Sequence, residues 1–164
     1  MKTIYIVRHA KSSWADANVS DVNRPLMEKC IKRTLKIINF LLERNVYPDA
    51  IISSHAKRAF DTAKLIAEGL NFPKQNITIN KNIYETDEEN ILNEVFALDN
   101  TLNKVMLVGH NPGMTQFANF FLNEKIDYMP TSAVAGISFY TDKWQTVVNS
   151  TKITDFIVFP KQLM

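Results

Sequence analysis

Three short apolar runs, each leading to a histidine, constrain the fold of this chain more than any other feature of its sequence. TIYIV precedes Arg8 and His9, AIISS precedes His55, and VMLV followed by a glycine precedes His110. Short runs of apolar and β-branched residues are typical of buried strands. Segments with helical periodicity follow these runs along the chain. This alternation predicts an α/β fold of three layers, α/β/α, with a mainly parallel sheet covered by helices.

The other elements can be placed from their start and stop residues. A first helix is predicted to begin just after Pro25, which lacks the N–H that a helix start leaves unpaired. A second helix covers about 56–69 and ends at Gly69. The remaining predictions are helices over 88–98 and 112–122, a β segment over 77–79, and strands over 133–141, 144–149 and 154–159. The last three form an antiparallel C-terminal edge of the sheet.

The composition is that of an ordinary globular chain, and it narrows the choice of partners. The 164 residues predict one domain that spans 1–164. With 19 basic and 17 acidic residues, the net charge of +2 is too balanced to favour nucleic-acid or membrane binding. Cys30 is the only cysteine, so neither a disulfide framework nor a thiolate zinc site is predicted. Because the chain lacks a transmembrane-length apolar stretch and a signal pattern, we expect a cytoplasmic enzyme or binding domain. We also expect it to be a monomer.

The three histidines follow the carboxyl ends of predicted strands, the edge at which open α/β sheets bind ligands. Taken singly, each could be a capping or surface residue, but three at one rim, with Arg8 and Arg58 beside them, point to a site. Arginine grips phosphate or carboxylate oxygens with two parallel hydrogen bonds, and histidine serves as nucleophile or proton donor near neutral pH. The sequence therefore predicts a small cationic pocket for a phosphoryl group. Neighbouring positive charge should lower the pKa of His9 and keep one of its ring nitrogens nucleophilic.

A zinc ion held by His9, His55 and His110 is the alternative use of the same residues. The two arginines would oppose a bound dication, and no carboxylate neighbours these histidines in sequence to orient them. We therefore favour a pocket that uses neither a metal nor a cofactor.

A set of motifs that spans almost the whole chain resembles the histidine phosphatase superfamily. In chain order the motifs are RHAKSSW, RPL, SSHAKRAFDTA, VGHNP and MPTSAVAGISF. The finer pattern is similar to its small SixA-type branch, the phosphohistidine phosphatases. The resemblance implies a phosphoglycerate-mutase-like α/β fold and a metal-independent phosphatase. It implies that His9 attacks phosphorus and becomes a transient phosphohistidine, while Arg8 and Arg58 hold the phosphoryl oxygens. His110 would donate to the same group, and water would then hydrolyse the phosphoenzyme.

Four further residues are candidates for the same site. Arg24, from the RPL motif, is expected either at the pocket rim or in an ion pair with Asp21. Lys11 and Ser12 follow the nucleophile and are candidates for contacting phosphate. Glu85 has the best position for a general acid. A phosphoramidate substrate has a better leaving group than an ester, which leaves open whether an acid is needed at all.

The sequence also departs from the family pattern at four positions. Ala10 replaces the glycine of the usual RHG motif, a common change in this branch. Trp14 stands where the phosphoglycerate mutase branch has a phosphate-binding asparagine, which argues against a mutase. His55 and Cys30 replace a common proline and a common glycine. The family therefore does not require His55 for catalysis, and the roles of these two residues stay open.

The leading hypothesis is a phosphatase that acts on phosphohistidine in proteins. A chain of 164 residues has little room for insertions that would enclose a small substrate, so an open groove suited to a protein is expected. Small phosphate esters, such as sugar or nucleotide phosphates, are the first alternative. A non-catalytic phosphate-binding adaptor on the same fold is the second, although an adaptor would not need the nucleophile.

Overall fold

The computed structural model of the protein describes residues 1–13 and 18–163. In these residues six strands form one sheet in the order β3-β2-β4-β1-β5-β6. The strands are β1 (Lys2–Arg8), β2 (Ala50–Ser53), β3 (Thr78–Ile79), β4 (Lys104–Gly109), β5 (Val134–Phe139) and β6 (Lys152–Val158). The helices are α1 (Glu28–Glu43), α2 (Lys57–Gly69), α3 (Glu88–Phe96) and α4 (Gly113–Phe121). None of these helices is both long and apolar enough to cross a membrane.

The sheet is mixed, with its parallel and antiparallel parts meeting at β1. β1 pairs in parallel with β4, β4 with β2, and β2 with β3. On the other side β1 pairs with β5, and β5 with β6, in the antiparallel sense. The predicted α/β class, a mainly parallel sheet finished by antiparallel C-terminal strands, is confirmed.

The central strand β1 is apolar on both faces because helices cover both sides of the sheet. Ile4 and Ile6 belong to the core that includes side chains of α3 and α4. Tyr5 and Val7, which alternate with them, belong to the second core, with side chains of α1 and α2. The continuous apolar run at the start of the sequence is therefore the consequence of a strand buried between two helical layers.

The parallel register brings the carboxyl ends of three strands to one edge. Arg8 lies opposite Gly109 in the pairing of β1 with β4. Ser53 lies opposite Val108 in the pairing of β2 with β4. Residues that follow β1, β2 and β4 in the chain are therefore neighbours at this edge.

The predicted strand over 144–149 is wrong. Trp144–Asn149 is a 3-10 helix, and its first residue explains the difference. The Trp144 ring is fully buried, and its Nε1 donates to the Leu102 carbonyl at 3.0 Å. Its backbone N–H donates to Asn100 Oδ1 at 2.8 Å. The segment is thus held against the loop before β4 instead of pairing with another strand.

Gly69 ends α2 as predicted, but it is not the residue whose backbone has a positive φ. The backbone with positive φ lies two residues later, at Asn71, where φ is 59°. A Cβ at Gly69 would clash with Ile38 Cγ2 in α1. Gly69 therefore allows the close approach of α1 and α2, which the sequence pattern did not indicate.

We expect Gly69→Ala to lower the free energy of unfolding by about 1–3 kcal/mol, because the added methyl group overpacks the contact with Ile38. Asn71→Gly is the matched control. It should be neutral or stabilising, since glycine adopts positive φ without steric cost. Urea unfolding of the two variants beside the parent measures both effects. Equal midpoints for Gly69→Ala and the parent protein would contradict the assigned role of Gly69.

Candidate active site

A cavity of about 540 Å³ lies at the carboxyl edge of the sheet. Its lining residues are Arg8, His9, Lys11, Ser12, Arg24, Arg33, Arg58, His110, Asn111, Tyr128, Pro130 and Thr131. This set includes every site residue predicted from the sequence except Glu85. It contains five cationic side chains and, among the described residues, no carboxylate.

His9 is held by its own neighbours in one tautomer. Its Nδ1 lies 2.6 Å from the Ala10 carbonyl oxygen, which can only accept, so Nδ1 carries the proton. In the neutral ring Nε2 then bears the free lone pair. The backbone N–H of His9 donates to Gly109 in β4, and that of Ala10 donates to Thr62 Oγ1 in α2. Two separate elements therefore fix the position of the ring.

The pKa of His9 is lowered from 6.5 to about 4. Burial is the main cause, and the positive charges of Arg58, Arg8 and Arg24 act in the same direction. The hydrogen bond to the Ala10 carbonyl opposes the shift, because it favours the protonated ring. At neutral pH the ring is uncharged, and its Nε2 is available as a nucleophile.

Arg58 is buried and Arg8 is half-buried, and both are only partly paired. Arg8 Nη1 donates to the Met129 carbonyl at 2.9 Å. Arg58 Nη1 donates to the Asp21 carbonyl at 2.7 Å, and its Nη2 lies 3.2 Å from Asp21 Oδ2. The Nε atoms of both arginines are buried and have no hydrogen-bond partner among the described residues. Buried N–H donors left free in this way beside a nucleophile suit the binding of an anion.

His110 lies next to His9, with 5.0 Å between the ring centroids. Its Nε2 is 2.7 Å from Ser54 Oγ, and its buried Nδ1 has no partner in the described part of the chain. Burial lowers the pKa of His110 to about 3, with contributions from His9 and Arg58. A Ser54 hydroxyl that donates to Nε2 leaves the ring proton on Nδ1. From there it can be donated to a bound oxygen.

Asp21 links Arg24 and Arg58, two residues of the cavity lining, and sequence reasoning predicted only its pairing with Arg24. Its carboxylate accepts hydrogen bonds from the hydroxyl of Tyr84 and from Arg24 and Arg58. The bond from Tyr84 is the largest cause of a pKa lowered to about 2, and the two arginines add to it. Asp21 is therefore ionised at neutral pH and anchors both guanidinium groups.

Both alternatives for Arg24 hold in the structure. Arg24 lines the cavity, and its Nη2 pairs with Asp21 Oδ1 at 3.0 Å. Its Nη1 donates to Ser12 Oγ at 2.7 Å, so Ser12 is tied to the rim. Lys11 is exposed beside them. The only sequence signal for this cluster is the spacing of Asp21 and Arg24, one helical turn apart.

Glu85, His55 and Trp14 are not part of the described cavity. The Glu85 side chain is exposed and does not line it, so a role as general acid stays a prediction. The His55 ring lies 4.9 Å from the Tyr84 ring, outside the lining. Trp14 lies outside the described residues. In residues 1–13 and 18–163, no group of three or more His, Cys, Asp or Glu side chains is arranged to hold a metal ion.

Sequence comparison relates this chain to one family. The model of the histidine phosphatase superfamily (branch 1) matches residues 4–91, a stretch that contains His9, Arg24 and Arg58 and stops short of His110. An uncharacterized chloroplast protein of Arabidopsis thaliana is 26% identical over 154 residues, covering 88% of this chain and 69% of the relative.

Solved structures with the same fold include phosphatases. The protein histidine phosphatase SixA, in complex with tungstate, superposes with a TM-score of 0.80 at 21% identity, covering 98% of each chain. A protein of Agrobacterium tumefaciens assigned as a phosphohistidine phosphatase SixA gives 0.80 at 26% identity, covering 97% and 98%. A mycobacterial glucosyl-3-phosphoglycerate phosphatase gives 0.67 at 13% identity, covering 94% and 97%. The predicted fold and the resemblance to the SixA-type branch are confirmed.

We expect Asp21→Ala to lower kcat/KM for a chromogenic phosphate ester by about 10- to 100-fold, because Arg24 and Arg58 lose their shared anchor. Asp21→Asn, which keeps an acceptor oxygen, should lose less. The matched control is Asp61→Ala, which removes a carboxylate paired with Lys57 and Lys64 outside the cavity. If Asp21→Ala and Asp61→Ala retain the same kcat/KM as the parent, Asp21 does not position the arginines.

Proposed function

This chain belongs to the histidine phosphatase superfamily, and we propose that it is a metal-independent phosphatase that removes the phosphoryl group from phosphohistidine in proteins. The observation that supports this proposal most directly is the protonation state of the His9 ring. Its Nδ1 proton is held by the Ala10 carbonyl, and its Nε2 has no hydrogen-bond partner among the described residues. An uncharged imidazole of this kind, in a cavity lined by Arg8, Arg58 and His110, is suited to attack phosphorus.

In the first step, the lone pair of His9 Nε2 forms a bond to phosphorus while the P–N bond of the substrate breaks. The leaving imidazole keeps the electron pair of that bond. Arg8 and Arg58 hold the equatorial oxygens, and His110 donates to the same group through Nδ1. Since little covalent chemistry is asked of the protein, this positioning and charge stabilisation supply most of the rate enhancement.

In the second step, water attacks the phosphorus of the His9 phosphoenzyme. A P–O bond forms, and the P–N bond to His9 breaks with its electron pair returning to Nε2. A proton passes from the attacking water to solvent, and inorganic phosphate leaves. The low pKa of His9 favours this step, because the ring returns to its neutral form and is ready for another turnover.

The absence of a carboxylate from the described lining favours a phosphoramidate over an ester. An ester releases an alkoxide, which needs a proton from a positioned acid. The imidazole of phosphohistidine has a second ring nitrogen that solvent can protonate, so the ring leaves as a neutral molecule. His9, Arg8, Arg58 and His110 are then sufficient for the reaction, and Glu85 is not required.

The chemistry of the lining also favours a protein over a small metabolite. Pockets for small molecules are lined mostly by apolar side chains that enclose the ligand. Here charged and polar side chains dominate, and Tyr128 and Pro130 make up the apolar part of the described lining. Such a pocket grips a phosphoryl group and makes few contacts with the group that carries it. We place the enzyme in the cytoplasm, in keeping with its single unpaired cysteine.

We expect rapid quenching of the enzyme with a labelled phosphohistidine protein to trap an acid-labile, alkali-stable phosphoenzyme. His9→Ala should abolish the label and lower kcat by at least about 1,000-fold, because the nucleophile is lost. His55→Ala is the matched control, since it removes a histidine from the same rim outside the cavity and should keep both label and turnover.

Three outcomes would contradict this proposal in different ways. Turnover by His9→Ala at the parent rate would exclude His9 as the nucleophile. A higher kcat/KM for sugar or nucleotide phosphates than for phosphohistidine proteins would replace the substrate class. Loss of activity in EDTA, restored by zinc, would contradict metal independence.

A further inference from the structure

A second cavity, of about 440 Å³, adjoins the phosphoryl-binding cavity. The two share the side chains of Arg33, Tyr128, Pro130 and Thr131. We call this second cavity the side groove, and its remaining lining residues are Lys36, Phe159, Pro160, Lys161 and Leu163. The side groove is thus a continuation of the active site, formed by α1, the segment before β5 and the residues after β6.

We propose that the side groove docks an acidic segment of the phosphorylated protein, next to its phosphohistidine. This inference rests on the proposed function and adds to it the kind of partner that the enzyme selects. It is carried by three features of the groove, namely its unpaired cations, its apolar floor and its connection to Arg8.

The cations of the side groove are grouped without compensating charge. Arg33 and Lys36 are three residues apart on α1, so they lie on the same helix face, and Lys161 lies across the groove. All three are exposed. None of them forms an ion pair in the described part of the chain, and the described lining of the groove contains no carboxylate. This arrangement produces a local positive potential that attracts an anionic partner.

Another cavity on the protein has a different charge arrangement. It lies along α2, and its lysines are paired within the lining. Lys57 and Lys64 both contact Asp61, at 3.0 and 3.3 Å. Lys74 lies 3.8 Å from Glu68. Unpaired cations are therefore not a general feature of the cavities of this chain, although the net charge is only +2.

The floor of the side groove adds apolar contacts to this charge. Pro160 is buried, Phe159 is half-buried, and the Tyr128 side chain is 60% exposed where the two cavities meet. Exposed aromatic side chains beside cations are typical anchors of protein interfaces. A groove of this size accommodates a few side chains of an extended segment or of one helix face.

Tyr128 also connects the groove to the catalytic arginine. The next residue, Met129, is buried, and its carbonyl accepts hydrogen bonds from Arg8 Nη1 and from Asn111 Nδ2, both at 2.9 Å. A partner seated against Tyr128 therefore lies beside a backbone segment that holds Arg8. Docking in the groove would place the phosphohistidine close to the nucleophile.

The extent of the positive surface favours a protein over a nucleic acid. Beyond Phe159 and Lys161 the groove continues into a hollow that is lined by Lys125 and by a carboxylate, Asp127. The purely cationic stretch is therefore short. A nucleic acid needs a track of cations along several phosphates, whereas two or three acidic side chains match the side groove.

The test uses His9→Ala, which binds without turnover, and two fluorescent peptides that carry a non-hydrolysable phosphohistidine analogue. One peptide has glutamates beside the analogue, and the other has glutamines. We expect the acidic peptide to bind about tenfold more tightly at low ionic strength, with the difference shrinking in 0.5 M salt. Adding Lys36→Glu and Lys161→Glu should abolish this preference, with a much smaller loss of affinity for the glutamine peptide than for the acidic one.

The matched control adds Lys104→Glu and Lys143→Glu instead. Lys104 begins β4, and Lys143 follows β5, so both lie toward the opposite edge of the sheet. This variant carries the same total charge and should keep the preference for the acidic peptide. Thermal unfolding of both variants verifies that each is folded at the temperature of the binding measurement.

The outcomes for docking and for catalysis can be told apart. Equal affinity for the two peptides, or a preference that survives Lys36→Glu with Lys161→Glu, would overturn the docking proposal. Displacement of the acidic peptide by a single-stranded oligonucleotide at a lower concentration than by an acidic competitor peptide would also overturn it. Failure of the parent enzyme to hydrolyse free phosphohistidine and phosphohistidine peptides would instead overturn the proposed function. The binding result does not depend on that outcome.

Discussion

The hydrogen bond from His9 Nδ1 to the Ala10 carbonyl, 2.6 Å long, is the interaction on which the site depends. It fixes which ring nitrogen carries the proton, and so which one can attack. Ala10 in turn donates to Thr62 Oγ1 of α2 at 2.9 Å, and the His9 backbone donates to Gly109 of β4. Burial completes the arrangement, because it keeps the imidazole uncharged among several guanidinium groups. Strand β4, helix α2 and the Ala10 carbonyl therefore together position His9 so that its Nε2 can attack.

Much of this site follows from the order of parallel strands. Because β1 and β4 lie side by side in parallel, residues that follow them must meet at one edge, and this could be predicted from two apolar runs ending in Arg8-His9 and Gly109-His110. The strand predicted over 144–149 shows the limit of such patterns. This segment is a 3-10 helix whose Trp144 is buried against the loop before β4. Such a long-range contact cannot be predicted from the local spacing of apolar residues.

The supporting residues could not be found in this way, because they come from distant parts of the chain. Asp21 orients Arg58, Ser54 orients His110, and the Met129 carbonyl orients Arg8. These oxygens meet their partners only in the folded chain. A pattern within one segment can reveal a nucleophile at the end of a strand. It cannot reveal the acceptor that holds an arginine from more than thirty residues away, as Asp21 holds Arg58. The side groove has the same origin, since α1 and the residues after β6 meet only in the folded chain.

The most direct test of the central claim is the ¹⁵N NMR titration of the His9 ring, assigned by comparison with His9→Gln. The folded protein lowers the pKa of His9 from 6.5 to about 4, so the ring should stay neutral as the pH falls from 7 to 5 and take up a proton only near pH 4. At pH 6 we predict a protonated Nδ1 and an unprotonated Nε2. A ring that titrates near pH 6.5, or one that carries its proton on Nε2, would contradict the assignment of His9 as a nucleophile prepared by the fold.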